Sequence, residues 1–190
     1  MRIVLIGPPG AGKGTQAQYL VQHLSVPHLS TGELIRDAVR LGTPLGLAVG
    51  ETVSKGNLAP DDQILDLLRD RLAQDDCAGG YLLDGVPRTV AQAEAIDELL
   101  AASDTAIDLV LEIQVPLPVL TARLLERYES ASDPRPEDRP DRVPVRFEIY
   151  ESQTRPVIDY YHKRGLHRAV DGSGSPSQVF DRIKQLIGQH

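Results

Sequence analysis

The sequence predicts an α/β fold of three layers: a five-stranded parallel sheet with helices on both faces. Three observations predict it. The apolar run Ile3-Val4-Leu5-Ile6 passes directly into the glycine-rich stretch Gly7-Pro8-Pro9-Gly10-Ala11-Gly12-Lys13-Gly14-Thr15, and from there into a helical pattern. Short apolar runs then alternate with stretches of helical periodicity along the chain, which calls for crossover connections and hence parallel strands covered on both sides. The run Tyr81-Leu82-Leu83-Asp84 ends in an acid, at the carboxyl end of a strand, where sheets of this kind hold their ligands.

Each element has its own signal. Ile3 to Ile6 is the first strand. Ala17, Leu20, Val21 and Leu24 recur at helical spacing and form the helix after the glycine turn. Pro27-His28-Leu29 is a short second strand. Thr31 to Leu41 and Pro44 to Lys55 read as two helices, and taken alone Thr31 is a helix N-cap. Asp61-Asp62 opens another helix through Ile64, Leu65, Leu68 and Leu72, with its acids at the favoured end. Tyr81 to Asp84 is a buried strand and Thr89 to Ala102 a helix. Leu109 to Val115 is a strand of branched residues, followed by a helix from Pro116 to about Tyr128. Residues 129 to 140, rich in Ser, Pro, Asp and Arg, read as an exposed loop. A long helix then carries Val143, Phe147, Tyr150, Thr154, Val157 and Tyr161 on one face. Pro144 fits its first turn, and Pro156 should kink it. Leu166 to Val170 is the last strand, and Ser175-Pro176-Ser177-Gln178 is a capping box that opens the last helix.

The bulk properties narrow the function. The 190 residues suit one domain with small inserted lobes. Cys77 is the only cysteine, which leaves no internal disulfide and no multi-cysteine zinc site; it reads as an inert thiol at a helix end. The apolar start is too short for a signal peptide or a membrane span, so a cytoplasmic location with no membrane partner is expected. A net charge of −7 argues against nucleic-acid binding by bulk electrostatics. Yet Arg123, Arg127, Arg135, Arg139, Arg142 and Arg146 crowd one stretch, and arginine suits bidentate phosphate contacts. An acidic chain with a local arginine cluster fits a protein that binds a small polyanion in a cleft. The five histidines show no ligand spacing and read as surface residues.

The glycine stretch explains which polyanion. Glycines let backbone N–H groups crowd a phosphate, the following helix points its positive end there, and Lys13 adds a full charge for terminal phosphates. A nucleoside triphosphate is expected. Gly14 occupies the place after the lysine where a magnesium-binding hydroxyl usually stands, with Thr15 one step late. Mg2+ is therefore expected to rest on phosphate oxygens and water, without a direct protein ligand. Asp84 is placed to orient that water, and Arg88, four residues on, to reach the transferring phosphoryl group.

Over nearly its whole length the chain resembles the adenylate kinases. Gly-Pro-Pro-Gly-Ala-Gly-Lys-Gly-Thr-Gln is the form of the phosphate loop found there. His28-Leu29-Ser30-Thr31-Gly32-Glu33-Leu34-Ile35-Arg36 resembles the monophosphate-site helix, Gly56-Asn57-Leu58-Ala59-Pro60-Asp61 the turn lining the AMP base, and Gly80 to Thr89 with Gln92 the family's signature segment. Val86 stands where the family usually has an aromatic, and Val86-Pro87 is a candidate cis bond by resemblance.

The resemblance implies that ATP is held by Gly10, Ala11, Gly12, Lys13, Gly14, Thr15, Arg123, Arg127 and Gly172. It implies that AMP is held by Thr31, Arg36, Asn57, Leu58, Ala59, Gly85, Arg88, Gln92, Arg135 and Arg146, with Arg36 and Arg88 on its phosphate and Gln92 on adenine. Catalysis would rest on Lys13, Asp84, Arg88, Arg123, Arg135 and Arg146. The domain would divide into a core (1–30, 61–127 and 139–190), a monophosphate flap (31–60) and a short lid (128–138) without the zinc-holding cysteines of larger lids. Arg139 and Arg142 are taken as solvated charges. The implied reaction is reversible phosphoryl transfer from Mg-ATP to AMP giving two ADP, by a monomer, in adenine nucleotide homeostasis.

The AMP phosphate is already a charged nucleophile, so no catalytic base is needed, and the task reduces to aligning two polyanions and cancelling the charge between them. A UMP or CMP kinase is a close alternative, disfavoured by Thr89 and Gln92. An alcohol kinase on the same scaffold would need a base such as Glu33 or Asp84 and would not need Arg36 and Arg88 together. A guanine-reading switch is closed, because it needs Asn-Lys-x-Asp and the one asparagine, Asn57, is followed by Leu58.

Overall fold

The computed structural model describes residues 1–188. Its sheet contains β1 (Arg2–Ile6), β2 (His28–Ser30), β3 (Tyr81–Asp84), β4 (Leu109–Gln114) and β5 (His167–Asp171) in the spatial order β2-β3-β1-β4-β5. All pairs are parallel, with Leu5 opposite both Asp84 and Leu111. The expected five-stranded parallel architecture is therefore present. The second and fifth strands each lie one residue later than the periodicity suggested.

The chain first builds to one side of β1 and later to the other, which opens a crevice at the carboxyl end of β1. Into that crevice leads the loop between β1 and α1 (Lys13–Leu24). Alternation along β1 divides the core. Ile3 and Leu5 pack with Leu20 of α1 and with Val179 and Ile183 of α9 (Pro176–Ile187). Val4 and Ile6 face the opposite layer. There they meet Leu68 of α4 (Asp61–Leu72), Ile96 of α5 (Val90–Ala101), and Val157 and Tyr161 of α8 (Arg155–His162).

The helices begin where their caps dictate. The Thr89 hydroxyl accepts from the Gln92 N–H at the start of α5, and Ser175 and Gln178 form the expected reciprocal capping box on α9. At α2 (Thr31–Arg40) the cap is Ser30, not Thr31: the Ser30 hydroxyl accepts from the Glu33 N–H at 3.4 Å. Thr31 is the first helical residue, and its hydroxyl turns to the Asp84 carbonyl in a long contact of 3.5 Å. Helix α3 (Pro44–Ser54) starts from the Thr43 cap and packs on α2, which itself touches β3.

Two further expectations change. The long helix expected to kink at Pro156 is α7 (Val143–Ile149), a widened π-helical turn over Tyr150–Thr154, and then α8. Proline lacks an N–H and its ring crowds the carbonyl four residues earlier, so the ladder widens just ahead of Pro156, and the proline sits in the first turn of α8. The stretch 129–140 is not a uniformly exposed loop. Helix α6 (Leu117–Ser130) enters it, and a single 3-10 turn (Pro136–Asp138) buries Glu137 and Asp138. Cys77 is buried, and burial pushes its thiol above the usual range. Among the described residues no helix is long and apolar enough to cross a membrane.

Candidate active site

The loop after β1 is built to receive anions. Gly12 caps α1 at φ 93°, a left-handed conformation that side-chain-bearing residues rarely adopt, and no side chain occupies the helix start. The first N–H groups of α1 are thus left unsatisfied by the helix. Lys13 folds back, its Nζ donating to the carbonyls of Gly7 at 2.7 Å and Pro8 at 3.1 Å. Burial first, then the nearby charges of Arg88, Arg146 and Arg127, lower its pKa to about 8 against the pull of Asp84.

Opposite Lys13, the last residue of β3 carries Asp84. Burial alone would raise its pKa, but the hydrogen bond to His28 (Nε2 to Oδ2, 3.3 Å) and the charges of Lys13 and Arg88 hold the carboxyl below the usual carboxylate range. His28 lies on the neighbouring strand β2. It is half-buried, which corrects the expectation that the histidines lie on the surface. His167 departs in the same way, with its Nε2 2.9 Å from the Glu112 carboxylate. His190 lies outside the described residues.

After β3 the chain turns at Gly85 (φ 84°), where a Cβ would stand 2.8 Å from the Thr31 hydroxyl. The Val86–Pro87 bond is cis. The turn aims Arg88 inward, with its Nε donating to the Gly85 carbonyl at 2.8 Å. Seven residues after Gly85, the Gln92 amide is held from two sides: Oε1 accepts from the Arg88 N–H and Nε2 donates to Asp61 Oδ1, each at 2.7 Å.

Three further arginines of the crevice are held by acids. Arg36 on α2 reaches Glu137 across the crevice at 3.2 Å. Arg127 on α6 pairs with Asp138 at 2.6 Å, and Arg146 on α7 pairs with the other oxygen of the same carboxylate. Burial is the first cause that lowers the pKa of Arg36, Arg88 and Arg146, with repulsion from neighbouring guanidinium groups adding to it. The result is a half-buried array of cations in which two acids of one turn pair with Arg36, Arg127 and Arg146, and Asp84 faces Lys13 and Arg88.

These groups surround one cavity of about 350 Å³. The glycine loop from Gly10 to Thr15 lines it, including Ala11, Gly14 and Lys13; so do Thr31, Arg36, Asn57, Leu58, Ala59, Asp84, Gly85, Arg88, Gln92, Arg127, Arg135 and Arg146. Two singled-out residues stand outside the lining. Arg123 donates from Nη2 to the Gly172 carbonyl at 3.3 Å, joining α6 to the turn after β5. The arrangement can seat one phosphate chain on the loop and a second anion between Arg36 and Arg88, with Arg127, Arg135 and Arg146 bridging the middle. Arg139 and Arg142 pair with Asp141; Arg139 is exposed as expected, whereas Arg142 is half-buried.

A family model described as adenylate kinase matches residues 5–166. An adenylate kinase of Xanthomonas euvesicatoria is 44% identical over 189 residues, covering all of both chains. One of Clostridium kluyveri is 41% identical over 213 aligned positions, covering 99% of this chain and 98% of the relative. One of Thermodesulfovibrio yellowstonii is 40% identical over 212, covering 98% and 99%. The chain belongs to the adenylate kinase family. It is a kinase enzyme, and its family acts as nucleoside monophosphate kinases.

For this adenylate kinase family member, reasoning from the sequence missed His28, Glu137 and Asp138. An acid pair set among Arg135, Arg139, Arg142 and Arg146 was the available signal for the last two, since carboxylates in an arginine cluster are natural counter-charges. His28 had no signal of its own, because its partner lies 56 residues away in sequence.

Proposed function

We propose that the enzyme transfers the terminal phosphoryl group of Mg-ATP to AMP, reversibly, giving two ADP. One observation carries the reading. A single cavity joins the phosphate loop and Lys13 to the pair Arg36 and Arg88, with Gln92 lining the acceptor end and three arginines between. In this reading an oxygen of the AMP phosphate attacks the γ-phosphorus, forming a new P–O bond. The bond from that phosphorus to the β–γ bridging oxygen breaks, and ADP leaves. Nothing has to remove a proton, because the attacking oxygen is already anionic. The array of cations binds the reactants, orients them in line and offsets the charge that develops between them.

The donor set fits Mg2+, which prefers oxygen ligands and retains water. Asp84, held ionised beside Lys13, and Thr15 both line the cavity, and Asp84 would hold the ion through water. When bound, Mg2+ supplies neutralisation of the phosphate charge. We further assign residues 31–60 to a flap over the monophosphate and residues 128–138 to a lid, whose closure excludes water from the phosphoryl group. The Arg36–Glu137 pair, which reaches from one segment to the other, supports that division.

The test is an acceptor panel with Mg-ATP. AMP should be phosphorylated with the highest kcat/KM, and preference for UMP or CMP would overturn the acceptor assignment. A mimic joining two adenosines through five phosphates should bind tightly and compete with both substrates; failure to compete would overturn the shared-cavity reading.

A further inference from the structure

We infer that Asp61 sets the polarity of the Gln92 amide and thereby makes the acceptor site selective for a 6-aminopurine over a 6-oxopurine. The inference rests on the proposed AMP reading and deepens it.

The orientation of an amide follows from what it faces. The Arg88 N–H can only donate, so the Gln92 atom 2.7 Å from it must be the oxygen. The Asp61 carboxylate can only accept, so the Gln92 atom 2.7 Å from Oδ1 must be the NH2 group. Asp61 cannot swing aside, because its other oxygen accepts from the Thr89 hydroxyl at 2.8 Å. That hydroxyl in turn accepts from the Gln92 N–H at 3.1 Å, capping α5. Asp61 stands behind Gln92, outside the cavity lining. It is thus a positioning residue.

Each held atom of Gln92 keeps spare capacity: Oε1 a second lone pair, Nε2 a second N–H. Toward the cavity they offer an acceptor beside a donor. A 6-aminopurine presents the complement, an amino N–H at C6 beside the N1 lone pair. A 6-oxopurine presents the reverse, an oxygen at C6 beside an N1–H. Accepting it would require the amide to rotate by half a turn. That rotation would set NH2 against the Arg88 N–H and oxygen against the Asp61 carboxylate. Gln92 is 2% exposed, so water cannot relieve either clash.

The experiment measures phosphorylation of AMP and of inosine monophosphate, its 6-oxo counterpart, with Mg-ATP, by the full chain and by Asp61→Ala and Asp61→Asn. The unaltered enzyme should strongly prefer AMP. In Asp61→Ala the preference should shrink roughly tenfold, about the worth of one hydrogen bond to a charged group, through KM for the acceptor, with KM for ATP unchanged. Asp61→Asn keeps the volume and can accept or donate. It should retain AMP use within about threefold of the unaltered enzyme while gaining inosine monophosphate, and it guards against an alanine variant that fails to fold. An unchanged preference in a folded variant, or equal loss for both acceptors, overturns the inference while leaving the AMP reading intact. Equal use of the two acceptors by the unaltered enzyme also overturns it. No use of AMP at all would instead bring down the AMP reading, and the inference with it.

Discussion

Asp138 and Arg146 form an ion pair behind the lining of the crevice, with Asp138 wholly removed from solvent. The second oxygen of the same carboxylate holds Arg127. An internal anion therefore holds two of the cations that the proposed reaction needs for phosphate. Two charges taken out of water persist only when each satisfies the other, so the pair keeps the guanidinium groups ordered until a nucleotide arrives to share them.

Replacing Asp138 with Asn removes the counter-charge and leaves Arg146 buried beside other cations. The free protein should lose about 3 kcal/mol, a fall in Tm of roughly 6 to 12 °C for a chain of this size. The Arg127 side is partly exposed and adds little. Saturation with the pentaphosphate mimic should shrink the deficit, because phosphates replace the lost anion. Melting curves with and without the mimic check this, and an equal deficit in both would contradict it.

If Lys13 binds the triphosphate as proposed, that binding should depend on pH. Below about pH 8 the folded protein carries a buried ammonium that burial disfavours. Between about 8 and 10.5 the unfolded chain holds the proton and the folded one does not, so the contribution of Lys13 to stability rises with pH across that window. A bound triphosphate favours the ammonium and raises its pKa. Binding at pH 8 should therefore take up a proton fraction approaching one half, and affinity should weaken above pH 8. Calorimetry in two buffers of different ionisation enthalpy measures the uptake, and Lys13→Met should abolish it.

Arg88 is anchored by the Gly85 carbonyl through Nε, which leaves its terminal nitrogens for the ligand. Arg88→Ala should reduce kcat/KM by about 10³ or more with an unchanged circular dichroism spectrum. Near-normal turnover would remove Arg88 from the mechanism.

In the proposed reaction Glu137, paired with Arg36, would compete with the acceptor phosphate for that arginine. Glu137→Gln leaves the volume but removes the charge, so KM for AMP should fall by roughly threefold to tenfold with little change in KM for ATP. Steady-state kinetics with each substrate varied in turn checks it; a rise in KM for AMP would mean that Glu137 orients Arg36 for binding instead of withholding it.

What the sequence alone determined is the local grammar. Gly12-Lys13 after an apolar run, the acid closing β3, the Ser175 capping box and the alternating strand and helix patterns depend on neighbours within a few residues, and these set the architecture and the phosphate loop. Tertiary structure decided what depends on groups far apart in the chain. Arg36 meets Glu137, His28 meets Asp84 and Asp61 meets Gln92 only because the sheet order and the packing of the helices on it bring them together. The periodicity of a segment reports which face is apolar. It says nothing of which distant charge a polar side chain meets, so a proline-rich stretch that reads as solvated could carry a wholly buried Asp138.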